Sequence, residues 1–242
     1  ILSVYKIWTL LNSSFSWNGQ SNNAIPTKKD QVEQVFLGTW ADYKEFGWGY
    51  DIYSPVTHKH SNMPKSKDPL GWIIVDSIDT LMLMYNSTTS NKARLLQEIR
   101  EVEAWVANEL TYDIDAEINI FETTIRMLGG LLSAYYYSSS LLIGKPDVYL
   151  NKAVDLANRL MPAFQKTSSG IPYSSINLHT GNVIKNHVDN GASSTAEFTT
   201  LQMEFKYLSY LTGNYLYWEA AEKVYKPLYE NNELLEKYDG LV

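Results

Sequence analysis

From Thr27 onward apolar residues recur every three or four positions, interrupted by glycine, proline and small polar residues, as expected of successive amphipathic helices. Thr27 and Asp30 are spaced as a capping box, and Val32, Val35, Phe36 and Trp40 form the stripe of a first helix that Gly47 and Gly49 end. Residues 50–70, with Pro55, Pro64 and Pro69, read as loop. The apolar run Ile73–Tyr85 predicts a second helix, and Asn91–Leu110, striped by Leu95, Ile99, Val102 and Val106, a third. Asn119–Ser138 reads as a single buried helix, followed by another over Asp147–Phe164. Weak alternation in Ile171–His187 around Thr180-Gly181-Asn182 predicts a β-hairpin. The last helices are Thr195–Leu211 and Tyr215–Glu230, the latter bent or ended by Pro227. Helices at short intervals with one hairpin predict an all-α fold of paired antiparallel helices. Ahead of them stand an apolar segment, Ile1–Trp17, and an Asn- and Ser-rich linker, so the predicted division is 1–28 and 29–242.

Several carboxyl groups interrupt these apolar stripes. At about 100° per residue, Glu122, Arg126, Gly129 and Ser133 share one face of the 119–138 helix, beside an apolar face of Phe121, Ile125, Leu128 and Leu132. An ordinary solvated i,i+4 pair of Glu122 with Arg126 is one reading. Gly129 and Gly130 favour a second, because a glycine inside a helix costs about 1 kcal/mol against alanine and implies close packing. On that reading Glu122, in the first turn, is a catalytic carboxyl. Asp76 either caps the helix that begins near Ile73, with Asp79 completing its first turn, or is an acid kept in an apolar run for a ligand. On one continuous helix Glu197 and Glu204 would lie within about 60° of each other and about 10 Å apart, either partnered in the core or facing a ligand.

Composition narrows the choice. With 242 residues, 45% hydrophobic and 19% charged, the chain can bury a substantial core. A net charge of −7 without basic clusters argues against nucleic acid, and an acidic surface with 18 Tyr and 7 Trp suits a neutral polar ligand. Most such aromatics in a helical protein nevertheless fill the core. The absence of cysteine excludes disulfides and zinc fingers. His58-Lys59-His60 has no third ligand nearby and reads as polar loop, so no metal ligand is assigned in this sequence. His179 and His187 are expected to be exposed polar residues of the hairpin.

Ile120-Phe121-Glu122-Thr123-Thr124-Ile125-Arg126 followed by Leu128-Gly129-Gly130-Leu131-Leu132-Ser133-Ala134-Tyr135 resembles the signature of glycoside hydrolase family 47, the class I α-1,2-mannosidases. Gly71–Leu81, Gly170–Ser174 and Ser194–Phe205 resemble further stretches of that family, in the family's order. The resemblance implies an (αα)7 barrel of helical hairpins, of which this chain covers about the first half. It implies an inverting exo-α-1,2-mannosidase that trims mannose from high-mannose N-glycans in the endoplasmic reticulum. Glu122 would be the catalytic acid, with Asp76, Arg126, Glu197 and Glu204 at the substrate. It also implies a Ca2+ ion held by a threonine beyond this sequence, where the catalytic base would lie as well. Residues 1–242 alone are therefore expected to release no mannose.

Ile1–Trp17 is shorter than the roughly 20 residues that span a bilayer; it is either the trimmed remnant of a type II signal anchor or a short amphipathic segment. The sequons Asn12-Ser13-Ser14 and Asn86-Ser87-Thr88 agree with a luminal location. Two other functional classes stand beside the trimming enzyme. One is a family 47 homologue that recognises misfolded glycoproteins for degradation and trims little. The other is a helical scaffold without a sugar site, in which Asp76, Glu197 and Glu204 would all be paired to core arginines.

Overall fold

The computed structural model describes residues 27–63, 66–230 and 237. The apolar segment Ile1–Trp17 and its sequon therefore lie outside the described residues, among which no helix is long and apolar enough to cross a membrane. The chain divides into two compact units, Ile1–Trp48 and Gly49–Val242.

The first unit contains helix α1, Lys28–Phe46. Its capping box forms as the spacing predicts: Thr27 Oγ1 accepts from the Asp30 amide at 3.2 Å, and Asp30 Oδ2 accepts from the Thr27 amide at 2.9 Å. The stripe differs from expectation. Val32 and Val35 are exposed, at 46% and 70%, whereas Glu33, Leu37, Trp40 and Tyr43 are buried. The large rings set the register, since Trp40, Tyr43 and Trp48 pack together with centroids 5.6–6.1 Å apart.

The second unit opens with a two-stranded antiparallel hairpin, β1 (Ile52–Ser54) and β2 (Lys59–Ser61), in the stretch read as loop. Three residues per strand are too few for alternation to show. His60, opposite Tyr53, stacks on Tyr50 at 3.9 Å between ring centroids. Asp51, at the foot of this hairpin, is buried. Its Oδ2 accepts from the amides of Met63 and Leu70, both at 3.0 Å, and its Oδ1 from those of Gly71 and Trp72, at 2.8 and 2.9 Å. That carboxylate does the work of an N-cap for helix α2 (Trp72–Ser87), whose own cap position, Gly71, is left-handed and offers no side chain.

Helices α2 and α3 (Lys92–Asn108) pack as a hairpin, and the stripe predicted for α3, Leu95, Ile99, Val102 and Val106, is buried. Next come strand β3 (Glu117–Asn119) and helix α4, residues 120–141. The single helix expected over Asn119–Ser138 is composite: an α turn at Ile120–Glu122, a π stretch at Thr123–Leu128, and α-helix again over Gly129–Leu141. Asn119 belongs to the strand and caps the helix, its Oδ1 accepting from the Glu122 amide at 2.8 Å. On the apolar face Leu128 and Leu132 are buried, while Phe121 and Ile125 are partly exposed. Helix α5 (Pro146–Leu160) packs back on α4, and a short α6 (Pro162–Gln165) comes after it.

The predicted hairpin forms from β4 (Ser175–Asn177) and β5 (Val183–Ile184), and β3 joins it to make a three-stranded antiparallel sheet in the order β3-β4-β5. Alternate residues before and within β3 reach to the hairpin: Asp113 to His179 Nδ1 at 2.8 Å, Asp115 to Asn177 Nδ2 at 2.8 Å, and Glu117 to His187 Nε2 at 2.6 Å. Both histidines are exposed, as expected, and both are engaged. Asp113 also pairs with Arg159 at 2.8 Å; His179, then Arg159, holds its carboxyl below the usual range.

The helix expected over Thr195–Leu211 is broken into α7 (Thr195–Phe198) and α8 (Gln202–Thr212). At the break the hydroxyls of Thr199 and Thr200 donate back to the carbonyls of Thr195 and Ala196, each at 2.6 Å, a side-chain bond that bends helices. The last predicted helix is likewise divided, into α9 (Tyr215–Lys223) and α10 (Lys226–Glu230), with the break just before Pro227. Within this unit α2–α3, α4–α5 and α8–α9 are three helical hairpins side by side, α4 packing on α2, α5 on α3 and α8 on α4. Residues 76 and 79 of α2 meet residues 126 and 133 of α4 in the same order, so these first helices run parallel. The all-α expectation holds.

Glycine governs how closely α2 and α4 approach. A Cβ at Gly130 would stand 2.7 Å from the Val75 carbonyl oxygen, whereas one at Gly129 would have its nearest neighbour, Glu204 Cγ, at 3.6 Å. Gly130→Ala is therefore expected to cost about 1–3 kcal/mol by forcing the helices apart. Gly129→Ala should be neutral, or stabilise by up to about 1 kcal/mol through helix propensity. Urea unfolding of both variants checks the pair, and equal costs would show that the contact is not the constraint. Asp51→Ala strips four backbone N–H groups of their acceptor, at about 1–3 kcal/mol for each one left buried without water. Its urea midpoint should fall well below that of Asp51→Asn, which keeps one acceptor oxygen.

Candidate active site

Helices α2, α4 and α8 bring together most of the sequence-predicted residues. Arg126 is the centre. Its Nε donates to Glu122 Oε2 at 2.8 Å and its NH1 donates to Asp76 Oδ2 at 3.1 Å, while the guanidinium carbon lies 4.9 Å from the centroid of the Trp72 ring. The Glu122 bond, then the Asp76 bond, raises Arg126 further above its ordinary value against partial burial, so it stays charged. Asp76 is not a helix cap: it lies inside α2, facing α4. All three side chains are 39–44% exposed, so the constellation is open to a ligand.

The polar face predicted for α4 divides in two. Arg126 and Ser133 meet α2, the latter through Asp79 at 3.0 Å, while Gly129 abuts Glu204 of α8. The π stretch is the reason, because its wider turns rotate the rest of the helix away from the 100° register. Glu204 Oε2 is buried and lacks a partner among the described residues. Burial raises the Glu204 carboxyl above its ordinary range.

Glu197 stands before the break at 199–201, which ends the continuous helical register that would have aligned it with Glu204. It lines an open pocket of about 550 Å³ together with Glu117, Asn119, Ser174, Ser175 and His187. Asn119, which caps the turn carrying Glu122, connects this pocket to the Arg126 constellation. Spacing along the sequence does not mark Trp72 or Asp79 as site residues by their chemistry, whereas it does put Ser133 on the face of Glu122. Asn119 likewise stands three residues before Glu122, the spacing of a cap and its third residue, so that one was legible.

Residues 35–242 match the model of Glycosyl hydrolase family 47. The chain belongs to this family. It is 64% identical over 214 residues to the endoplasmic reticulum mannosyl-oligosaccharide 1,2-alpha-mannosidase of Saccharomyces cerevisiae, covering 88% of this chain and 39% of that protein. To the mannosyl-oligosaccharide 1,2-alpha-mannosidase of Candida albicans it is 48% identical over 246 residues, covering 100% and 39%. In structure it superposes on the alpha-1,2-mannosidase from Trichoderma reesei with a TM-score of 0.69 and 28% identity, over 84% of this chain and 40% of the other. The chain thus spans about two fifths of the length of these family 47 relatives, and its helical hairpins are part of the (αα)7 barrel. Among the described residues no three His, Asp or Glu side chains gather where a metal ion could sit, and Asp76 and Glu122 are both engaged by Arg126. They do not by themselves fit a calcium site.

Glu204 gives this surface a pH signature. Its folded-state value lies above its unfolded one, so the stability it adds is complete below the unfolded value and is lost as pH rises through the folded value. Glu204→Gln, which cannot ionise, should gain in Tm relative to the parent between pH 5 and pH 8. Thermal unfolding at the two pH values checks this, and a difference in Tm that does not move would show that the carboxyl ionises freely in the folded protein.

Proposed function

We propose that the protein is an inverting exo-α-1,2-mannosidase of the endoplasmic reticulum lumen that trims high-mannose N-glycans, converting Man9GlcNAc2 to Man8GlcNAc2. The observation that carries this reading is the convergence of Glu122 and Asp76, from two helices, on the single guanidinium of Arg126 over Trp72, in a chain of family 47. A scaffold without a sugar site would have its acids paired to core arginines. Here the arginine side chain is 40% exposed, and among the described residues Glu204 Oε2 has no partner and Glu197 forms no ion pair. The names of the relatives favour the trimming enzyme over a homologue that only recognises glycoproteins.

In an inverting glycosidase one carboxylic acid protonates the leaving oxygen while a second carboxylate activates water on the opposite face of the ring. Glu122 is the proposed acid. Arg126 grips its Oε2 and fixes the plane of the carboxyl, so that Oε1 is the oxygen turned to the substrate. Arg126 and Asp76 orient the sugar beside the Trp72 ring, and Glu197 meets it from the pocket that Asn119 lines. Glu204, behind Gly129, is proposed as a further carboxyl of the substrate site. Calcium belongs to the same proposal on the strength of family membership alone, and no step is routed through it. A type II anchor in Ile1–Trp17 rests on the apolar run and on the endoplasmic-reticulum name of the yeast relative.

The test is Glu122→Gln in the intact protein. The amide fills the same volume and still accepts from Arg126 but delivers no proton, so mannose release should fall by about 10²–10⁴-fold with the melting temperature unchanged. Turnover of a high-mannose oligosaccharide near the parental rate would remove Glu122 from the acid's role.

A further inference from the structure

Asp79 takes no part in the proposed proton transfer or sugar binding, yet it is a partly buried acid for which no cation is found among the described residues. It sits one turn after Asp76 on α2, and its Oδ2 accepts from Ser133 Oγ at 3.0 Å. Ser133 is seven residues after Arg126, about two turns along α4. On α4, Gly130, which abuts the Val75 carbonyl of α2, lies between Arg126 and Ser133. The buried side chains around that contact hold the helices together, but apolar burial is not directional. The two polar contacts beside it, Asp76 with Arg126 and Asp79 with Ser133, are, and they tie the helices at two heights.

We propose that Asp79 and Ser133 are positioning residues: their hydrogen bond sets the register of α2 on α4 and thereby holds the Arg126 guanidinium, and through it the Glu122 carboxyl, in the working orientation. The inference rests on the mannosidase reading and names residues that act through its machinery without touching substrate. Its chemistry is that of an acceptor: the Oδ2 of Asp79 takes the Ser133 hydroxyl proton in a hydrogen bond at 3.0 Å. Burial pushes the Asp79 carboxyl up, against the Ser133 bond. What the position requires is thus an oxygen that accepts from Ser133, which asparagine also supplies.

The experiment compares Asp79→Ala, Asp79→Asn and Ser133→Ala in the intact protein, each alone and in an Arg126→Ala background, with kcat and KM measured on a high-mannose oligosaccharide well below each Tm. Asp79→Ala and Ser133→Ala should lower kcat by about 10–100-fold, as expected of misplacement by a fraction of an ångström to an ångström. KM should change little, and Asp79→Asn should keep kcat within threefold of the parent. In the Arg126→Ala background both losses should shrink to twofold or less, because the residue through which they act is gone. The proposal is overturned if Asp79→Asn is as damaging as Asp79→Ala, if kcat is unchanged in Ser133→Ala, or if the losses persist without Arg126. A purely structural pair would lower Tm and leave this pattern absent. Amide hydrogen exchange over residues 120–128 separates this proposal from the mannosidase reading. Should the parent release no mannose, that reading fails, and faster exchange there in Ser133→Ala still upholds the register role while unchanged exchange ends it.

Discussion

The close approach of Gly130 to the Val75 carbonyl is the constraint on which the site depends. Ridges and grooves of ordinary side chains hold helix axes about 8–10 Å apart; a glycine lets backbone meet backbone, and the polar groups flanking it then reach across. Asp76 meets Arg126 and Asp79 meets Ser133 because the helices are this near. The carboxyl, guanidinium and aromatic ring of the site therefore belong to one packing event, and the energy that assembles them is mostly the burial of Val75, Ile78, Leu128 and Leu131 around them.

Asp51 supports that contact from outside. An α-helix begins with unsatisfied N–H groups, and at α2 the residue that would cap them is a left-handed glycine. A carboxylate twenty residues upstream takes their place, joining the β1–β2 hairpin to the helix start and fixing where Trp72 and Asp76 lie. Charge-assisted bonds to backbone amides are among the stronger hydrogen bonds of a protein, so this junction is stiff.

Much of this was legible in the sequence because it depends on local period. The α3 stripe, the Thr27–Asp30 cap, the 171–187 hairpin and the pairing of Glu122 with Arg126 all come from spacing alone. Three readings failed for physical reasons that spacing does not carry. Glu197 and Glu204 align only on a continuous helix, yet Thr199 and Thr200 spend their hydroxyls on the previous turn and break it. The valines suggest one stripe for α1, whereas the aromatic rings decide burial. The polar face of α4 assumes a constant 100°, which the π stretch violates. Asp51, a single acid in a short loop-like stretch, gives no periodic signal, since its partners lie between twelve and twenty-one residues away.

The π stretch at Thr123–Leu128 also bears on how this segment tolerates changes in length. A π turn holds about one residue more than an α turn, so removing a single residue there would leave a sound α-helix and relieve a less favourable hydrogen-bond pattern. The α turn left behind would complete nearly the same rotation with one residue fewer, so Gly130 would still face Val75 and Ser133 would still face Asp79. The same deletion in the α segment beyond, between Gly130 and Ser133, would swing what lies after it by about 100° and carry Ser133 off Asp79. The π turn is thus the place between Glu122 and Ser133 where a residue can be lost without turning the site.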